Sequence, residues 1–279
     1  MQTDSPLFSF GVVTDIQYAD IDDREDQRFR ASLERLIKCV SLWNESPVTF
    51  AVQLGDIVQG NNGHTYDEFE RIASILDRVE KPLYHVIGNH CLDIRLDDLL
   101  ARFKMKAPYY DFAQGGFRFI VLYGMQVSIH SKPEGGEIHR AALQFLADNP
   151  AAKLWAGAAG TEQLTWLKER LIHAATCGER VIILNHFPVL ESTTSEKHGI
   201  LWNHREVVDL IESSGVVVAH LNGHYHNGAY TFQNGTHYVS LESLVETPGS
   251  DNSYGIIDVY NDRLVINGEG AMTSRVLRF

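Results

Sequence analysis

The chain has 279 residues, 44% of them hydrophobic, and a formal net charge of −12 at pH 7. This length is enough to bury one large hydrophobic core. The negative charge and the lack of a basic cluster argue against a protein that grips the nucleic acid backbone. No stretch approaches the roughly 20 apolar residues that a membrane helix needs.

The cysteines and the first residues indicate the compartment. Cys39, Cys91 and Cys177 are odd in number, far apart and outside any Cys-x-x-Cys arrangement. This usage argues against a disulfide framework and favours a reducing compartment. Residues Met1–Ser9 lack both a basic region and a long apolar run, so we expect no secretory signal. We therefore predict a cytoplasmic protein.

The first part of the chain alternates strand-like and helical patterns. Buried strands are predicted at Phe8–Thr14, Thr49–Leu54 and Leu83–Ile87. Helical spacing of apolar residues predicts one helix over Phe29–Trp43 and another over Tyr66–Val79. This strand–helix–strand order is typical of a parallel sheet.

The middle of the chain continues the alternation. A hairpin is predicted from Tyr109–Phe112 to Phe117–Tyr123 across a turn that contains Gly-Gly. A helix is predicted over Glu162–Ala175, with Thr161 as its N-cap.

The last part changes towards strands. Two β-branched runs, Val181–Leu184 and Val216–Leu221, are separated by a helix predicted around Arg205–Glu212. From Ala229 onward the patterns are mostly strands with Gly and Asn turns. We therefore predict one domain over residues 1–279, built on two packed sheets flanked by helices.

Five short polar motifs lie at the ends of the predicted strands. They are Asp15-Ile16-Gln17, Gly55-Asp56, Gly88-Asn89-His90, Asn185-His186 and Gly223-His224-Tyr225-His226. A loop that follows a rigid strand aims one or two side chains at a common point. Each motif alone has an ordinary alternative, a turn or a satisfied buried histidine. All five in this order indicate a centre for a pair of divalent metal ions.

The carboxylates and amides of the first motifs suit hard cations. Asp15 and Gln17 are two residues apart after a strand, so their side chains project to the same side. Asp56 is predicted to bridge two metals, with Gly55 removing a Cβ that would crowd them. Asn89 offers an amide oxygen as a further ligand.

The histidines complete the predicted set. His224 and His226 follow a buried strand at i and i+2, so they can bind two adjacent metals while Tyr225 packs away from them. His186 follows another strand. His90 lies next to the predicted amide ligand Asn89 and is predicted to face the substrate.

The motif set resembles the calcineurin-like metallophosphoesterase superfamily, and the likeness spans residues 15 to 226. The chain is most similar there to the manganese-dependent ADP-ribose/CDP-alcohol diphosphatases, a group marked by Gln17 in place of the usual His. The similar segments are Phe8–Asp23, Gln53–Ile57, Phe117–Leu122, Gly160–Leu167, Leu201–Arg205 and Leu241–Thr247. The fold that this resemblance implies is an α/β, four-layer αββα sandwich of two mixed sheets flanked by helices.

The resemblance also implies a role for each motif residue. The first metal would be held by Asp15, Gln17, Asp56 and His226. The second would be held by Asp56, Asn89, His186 and His224. A metal-bridging hydroxide would attack phosphorus in line, and His90 would neutralise charge or protonate the leaving oxygen.

The resemblance implies two divalent ions and a small nucleotide substrate. Because the amide oxygen of Gln17 is harder and weaker than imidazole, the first site favours Mn²⁺, with Mg²⁺, Fe or Zn²⁺ as alternatives. The implied reaction is hydrolysis of the phosphoanhydride in ADP-ribose or CDP-alcohols. The alternatives are a cyclic-nucleotide or general phosphodiesterase and an inactive protein-binding scaffold.

Candidates for substrate recognition are fewer. Tyr18, Phe29 and Trp202 are aromatic candidates for stacking on a nucleobase. Asn203 and Arg205 are polar candidates, with Arg205 suited to a phosphate or ribose. The alternative is core packing for Phe29 and Trp202 and a helix start for Asn203.

Overall fold

Twelve strands form two sheets in the computed structural model, which describes residues 5–279. In chain order the strands are β1 (Phe8–Val13), β2 (Phe50–Gln53), β3 (Leu83–His85), β4 (Tyr110–Gln114), β5 (Phe117–Val121), β6 (Arg180–Leu184), β7 (Val217–Asn222), β8 (Ala229–Gln233), β9 (Thr236–Ser240), β10 (Ser253–Val259), β11 (Arg263–Gly270) and β12 (Arg275–Arg278). The first sheet has the order β12-β11-β10-β1-β2-β3 and the second has the order β4-β5-β6-β7-β9-β8.

Both sheets are mixed. β1, β2 and β3 run parallel to one another, while β10 and β11 continue the first sheet in antiparallel pairing. In the second sheet β5, β6, β7 and β9 are parallel, and β4 and β8 pair antiparallel at its edges. Several strands of each sheet therefore end at a common edge, where ligand sites of α/β sheets usually lie.

Six α-helices lie within the described residues. They are α1 (Ala31–Glu45), α2 (Thr65–Leu76), α3 (Leu96–Arg102), α4 (Glu137–Asp148), α5 (Thr161–Cys177) and α6 (His204–Ser214). α1 packs on α2 and β10, and α5 and α6 pack on the second sheet. Leu36, Val40 and Trp43 form the buried stripe of α1 at helical spacing. The predicted four-layer αββα sandwich is confirmed.

Aromatic side chains fill the space between the sheets. Phe10 and Phe50 of the first sheet stack with ring centroids 5.1 Å apart. Phe119 of the second sheet meets Phe10 and Phe50 edge-on, at 5.4 and 5.2 Å. All three are 2% exposed or less. This packing holds the two sheets in a fixed relation, which matters because the motif loops come from both of them.

Most predicted elements are present, with ends shifted by a few residues. One predicted helix start was wrong: Gly160, in extended backbone, is the N-cap residue of α5, and Thr161 is already helical. The cause is that the Gly160 carbonyl accepts the first helical bond from Leu164, and its N–H is taken by the side chain of Gln126.

Two helices, α3 and α4, were not predicted. α3 has only seven residues, too few to repeat an apolar pattern. α4 does carry an apolar face, with Ala142 buried and Phe145 and Leu146 packed on the core, and the prediction overlooked it. Among residues 5–279, no helix combines the length and apolar character that crossing a bilayer requires. The prediction about Met1–Ser9 falls partly on residues 1–4, which lie outside the described part of the chain.

Candidate metal centre

The motif loops after β1, β2 and β3 of the first sheet and after β6 and β7 of the second converge on one buried cluster. Asp56, His186 and His224 each offer a ligand atom, and these three atoms lie within 4.8 Å of one another. Each of the seven predicted ligands is 7% exposed or less. They are Asp15, Gln17, Asp56, Asn89, His186, His224 and His226.

Hydrogen bonds join the loops of the first sheet to each other and to the second sheet. The backbone N–H of Gln17 donates to the carbonyl of Asp56 at 2.8 Å. Asp15 Oδ2 accepts from Thr14 Oγ1 at 2.6 Å and from the backbone N–H of His224 at 2.9 Å. Asp56 Oδ1 accepts from the backbone N–H of His90 at 2.9 Å. Each carboxylate therefore has one oxygen fixed by the protein.

Three buried oxygens of the predicted ligands have no hydrogen-bond donor within residues 5–279. They are Asp15 Oδ1, Gln17 Oε1 and Asn89 Oδ1. Leaving a buried acceptor unsatisfied costs about 1–3 kcal/mol, so three in one cluster call for a shared partner. Carboxylate and amide oxygens are ligands of Mn²⁺ and Mg²⁺. The residues present therefore fit divalent cations.

Each predicted imidazole ligand has one ring nitrogen fixed by an oxygen acceptor. These pairs are His186 Nδ1 with the Leu54 carbonyl at 2.9 Å, His224 Nε2 with the His198 carbonyl at 3.0 Å, and His226 Nδ1 with Glu246 Oε2 at 2.8 Å. An acceptor of this kind requires that the fixed nitrogen carry the hydrogen. In the neutral ring the other nitrogen then holds a lone pair for a metal.

The three remaining nitrogens face the cluster. His186 Nε2 lies 3.1 Å from Asp56 Oδ2, and His226 Nε2 lies 3.5 Å from Asp15 Oδ1. His224 Nδ1 lies 3.3 Å from His186 Nε2. Nitrogen and oxygen donors are thus brought together by both sheets.

Charge and burial oppose each other in this cluster. Burial alone would raise the pKa of Asp56, but the charges of His186 and His90 outweigh it and hold that pKa far below its usual range. Burial would lower the pKa of His186, yet Asp56 raises it to about 9. His226 is likewise raised to a pKa of about 10 by Asp15 and Glu246 against its burial.

The third imidazole behaves differently. Burial, together with the positive charge of His186, lowers the pKa of His224 to about 3. His224 is therefore neutral at pH 7, whereas His186 and His226 attract protons. Carboxylates that hold protons on two neighbouring imidazoles mark a site built to attract positive charge.

Four predicted ligands have left-handed backbone. The φ angles are 49° at Asp15, 41° at Gln17, 52° at Asp56 and 66° at His224. Residues other than glycine adopt this region at a cost of order 1–3 kcal/mol, and such residues concentrate at functional sites. The strain is the cost of turning each side chain from its strand end towards the cluster.

The motif glycines allow ligands of other motifs to approach closely. A Cβ on Gly55 would lie 2.5 Å from His186 Nδ1. A Cβ on Gly88 would collide with Asp56 Oδ1, and one on Gly223 would collide with Asp15 Oδ2. The group that Gly55 accommodates is thus an imidazole from the other sheet.

His90 is half-buried at the rim of the cluster. Its Nδ1 lies 2.7 Å from the carbonyl oxygen of Gln59, so Nδ1–H donates there and Nε2 takes no part in that bond. Tyr225 is half-buried, and its ring contacts the His198 ring, with centroids 5.1 Å apart.

The aromatic candidates for substrate recognition are engaged in packing. Tyr18 is 5% exposed, and its hydroxyl accepts from Arg71 at 3.2 Å. Phe29 is fully buried. Trp202 stacks on Phe145 with centroids 4.8 Å apart. These contacts favour the core-packing alternative for Phe29 and Trp202.

The polar candidates are placed differently. Both amide atoms of Asn203 bond the backbone of Ala159, at 3.1 and 2.9 Å, and Asn203 is the N-cap residue of α6 without a side-chain cap. Arg205 is exposed and lines a cleft of about 390 Å³ with Glu191 and Gln233. Asn203 thus braces a loop, and a role of Arg205 in binding phosphate stays a prediction.

Sequence reasoning missed Glu246 and His198, which fix the rings of His226 and His224. Glu246 lies in the similar segment Leu241–Thr247, but nothing in its spacing marks a partner of a histidine 20 residues away. His198 acts through its backbone carbonyl, which no side-chain motif can reveal.

Comparisons with known proteins agree on one family. The sequence profile described as calcineurin-like phosphoesterase matches residues 8–228. A protein of Arabidopsis thaliana named manganese-dependent ADP-ribose/CDP-alcohol diphosphatase is 33% identical over 300 residues, 96% of each chain. The Homo sapiens protein of that name is 28% identical, over 98% of this chain and 93% of its own.

A solved structure agrees with these sequences. A dimetal phosphatase from Danio rerio superposes with a TM-score of 0.90 at 27% identity, covering 99% of this chain and 100% of that one. The match extends over both sheets and all the motif loops. The chain therefore belongs to the calcineurin-like phosphoesterase family and is similar over nearly its whole length to the manganese-dependent ADP-ribose/CDP-alcohol diphosphatases within it.

Proposed function

We propose that the chain hydrolyses the phosphoanhydride of nucleoside-diphosphate-linked compounds, such as ADP-ribose and CDP-alcohols, with two divalent ions. The observation that carries this proposal is that three buried oxygens of the ligand set lack a hydrogen-bond donor, while each of three imidazoles has one ring nitrogen fixed by an acceptor and the other left for a metal. The names of the relatives support the substrate class.

The ligand set that we propose follows the two-site division. Asp15, Gln17, Asp56 and His226 would hold the first ion. Asp56, Asn89, His186 and His224 would hold the second. The position of Asp56 supports a shared role, because its Oδ2 lies near both Gln17 Nε2 (3.5 Å) and His186 Nε2 (3.1 Å).

When bound, a pair of divalent ions lowers the pKa of water and neutralises negative charge on a phosphate. The chain's own residues supply orientation. The Leu54 and His198 carbonyls and the Glu246 carboxylate hold the rings in one tautomer, and Asp56 Oδ1 is fixed by the His90 backbone. In this proposal His90 Nε2 faces the leaving phosphate, where a protonated ring would neutralise charge.

A substrate panel tests the proposal. With Mn²⁺, we expect ADP-ribose to give AMP and ribose 5-phosphate faster than cyclic AMP or simple phosphomonoesters react. Faster hydrolysis of cyclic AMP would favour the phosphodiesterase alternative. No turnover of any of these, or of bis-p-nitrophenyl phosphate, would favour the scaffold alternative. A chelator serves as the control, since it should abolish every metal-dependent rate.

The preferred metal is part of the proposal. Because Gln17 gives the first site an amide oxygen instead of an imidazole, Mn²⁺ should reactivate chelator-treated protein better than Zn²⁺. The reverse order of reactivation would contradict this assignment. The names of the relatives, which call them manganese-dependent, support it.

We also infer that residues 1–279 act as one domain in a reducing, cytoplasmic compartment. The three cysteines, two of them buried, are all free, which suits a reducing environment. The aromatic packing between the sheets supports a single unit. Release of a stable fragment by limited proteolysis would contradict the inference of a single domain.

A further inference from the structure

The three proposed imidazole ligands are oriented by acceptors of two kinds. His186 and His224 donate to neutral backbone carbonyls. His226 instead donates from Nδ1 to the Glu246 carboxylate at 2.8 Å. Within residues 5–279, Glu246 is the one side-chain carboxylate recorded on the outer nitrogen of a proposed imidazole ligand.

The segment that carries Glu246 is tied to the same part of the centre. The backbone N–H groups of Val245 and Ser243 donate to the carbonyls of Asp15 (3.0 Å) and His226 (3.1 Å). The N–H of Glu246 donates to Ser243 Oγ at 3.1 Å. The carboxylate is thus held in register with both Asp15 and His226.

The same segment is fixed from outside by a buried arginine. Arg35 of α1 is 9% exposed, and its Nη1 donates to the carbonyls of Leu244 and Val245 at 2.8 and 3.2 Å. Glu246 itself is 23% exposed on its side chain. Its position is therefore set by the surrounding backbone, and its carboxylate accepts from His226.

A carboxylate behind a metal-binding histidine fixes the ring and makes the ligating nitrogen more basic. A backbone carbonyl fixes the ring but brings no net charge. The first proposed site has a single imidazole, His226, whereas the second has two, so the basicity of that one ring weighs more on the first ion. The carboxylate acceptor is thus found on the imidazole of the first site, and the carbonyl acceptors are found on the two imidazoles of the second.

We propose that Glu246 is a positioning residue that sets the affinity of the first metal site through His226. This inference rests on the ligand set proposed above. Glu246 does not touch the ions or the substrate in this assignment. Its effect should therefore appear in the binding of one ion and leave the other nearly unchanged.

Titration of the protein with Mn²⁺, followed by the electron paramagnetic resonance signal of free Mn²⁺, tests the proposal. We expect the wild type to bind two ions. Glu246→Gln keeps an acceptor but removes the charge. It should lower the affinity for one Mn²⁺ ion by roughly 10–100-fold and the affinity for the other by less than about threefold. Equal affinity in the wild type and variant, or equal weakening of both ions, would overturn the proposal.

A matched control separates this effect from general loss of charge. Glu196→Gln removes the same charge from an exposed glutamate two residues before His198, and it should leave both affinities unchanged. If Glu196→Gln weakens Mn²⁺ binding as much as Glu246→Gln, the specific role is refuted.

A second pair of variants guards against a folding defect. On a His226→Asn background, Glu246→Gln should cause no further loss of affinity, because its route to the metal is already gone. A further loss of tenfold there would refute action through His226. Wild-type protein that binds no Mn²⁺ would instead contradict the proposed function itself.

Discussion

The two sheets contribute opposite halves of the centre. All the oxygen ligands that we propose (Asp15, Gln17, Asp56 and Asn89) follow strands of the first sheet. All the nitrogen ligands (His186, His224 and His226) follow strands of the second. The oxygen half brings negative charge and buried acceptors that lack a hydrogen-bond donor. The nitrogen half brings imidazole rings, each of which needs an acceptor to orient it and can bind a metal only when its other nitrogen is free of a proton.

This division teaches why the site depends on the packing between the sheets. Neither half has the ligands for two ions, so binding requires both loop sets in their positions. Each half is also braced by the other: Asp15 Oδ2 accepts from the backbone of His224, and the Leu54 carbonyl accepts from His186. Bound cations would therefore link the two sheets and stabilise the folded state.

The largest expected effect comes from the ligand that both sites share. Asp56→Asn should lower kcat/KM for ADP-ribose by more than about 100-fold, since loss of outer partners of a metal site alone costs 10–100-fold. It should also remove tight binding of both Mn²⁺ ions, whereas His186→Asn should remove one. Asp148→Asn, an exposed carboxylate of α4, is the control. Retention of two tightly bound ions by Asp56→Asn would contradict the shared role.

A smaller effect on Mn²⁺ affinity is expected from pH, and it arises from the histidines of the nitrogen half. Asp56 raises the pKa of His186 to about 9, and Asp15 and Glu246 raise that of His226 to about 10, against burial in both cases. Both rings carry a proton at pH 7 in protein stripped of metal, and both must lose it to bind. Mn²⁺ affinity should therefore rise about tenfold per pH unit for each ion as the pH approaches 9.

Calorimetry in two buffers of different protonation enthalpy should show proton release on binding near pH 7. The stability of the metal-free protein changes with pH in the opposite direction to its affinity for Mn²⁺. Groups whose folded pKa lies above the unfolded value of 6.5 stabilise the stripped protein fully below pH 6.5, and this contribution is lost as pH rises through about 9 to 10. Mn²⁺ affinity independent of pH would contradict the assignment of these rings as ligands.

The smallest expected effect comes from making the oxygen half resemble the nitrogen half. Gln17→His replaces an amide oxygen with an imidazole at the first site. The ratio of Zn²⁺ to Mn²⁺ affinity there should rise about tenfold, or about 1.4 kcal/mol, as measured by competition titration. Gln144→His on the exposed face of α4 is the control. An unchanged ratio would show that Gln17 does not set the metal preference.

Local pattern predicted several of the strands and helices well. Local pattern identifies strands β1, β2 and β6 because each is a short, mostly apolar run. It identifies helices α1 and α2 because their apolar residues recur at helical spacing. Helix α3 was missed because seven residues are too few to repeat a pattern. Helix α4 was missed although its apolar residues recur at helical spacing. The start of α5 was misplaced at Thr161 because a glycine in extended backbone provided the N-cap position instead of a side-chain cap.

The sequence by itself determined which side chains stand at the strand ends, because apolar period and motif order are local properties of the chain. Only the tertiary structure decided which of them meet. The hydrogen bond from His226 to Glu246, the His198 carbonyl behind His224 and the place that Gly55 leaves for His186 join distant segments. These contacts exist because two sheets pack face to face on an aromatic core, and no local pattern encodes the register between them.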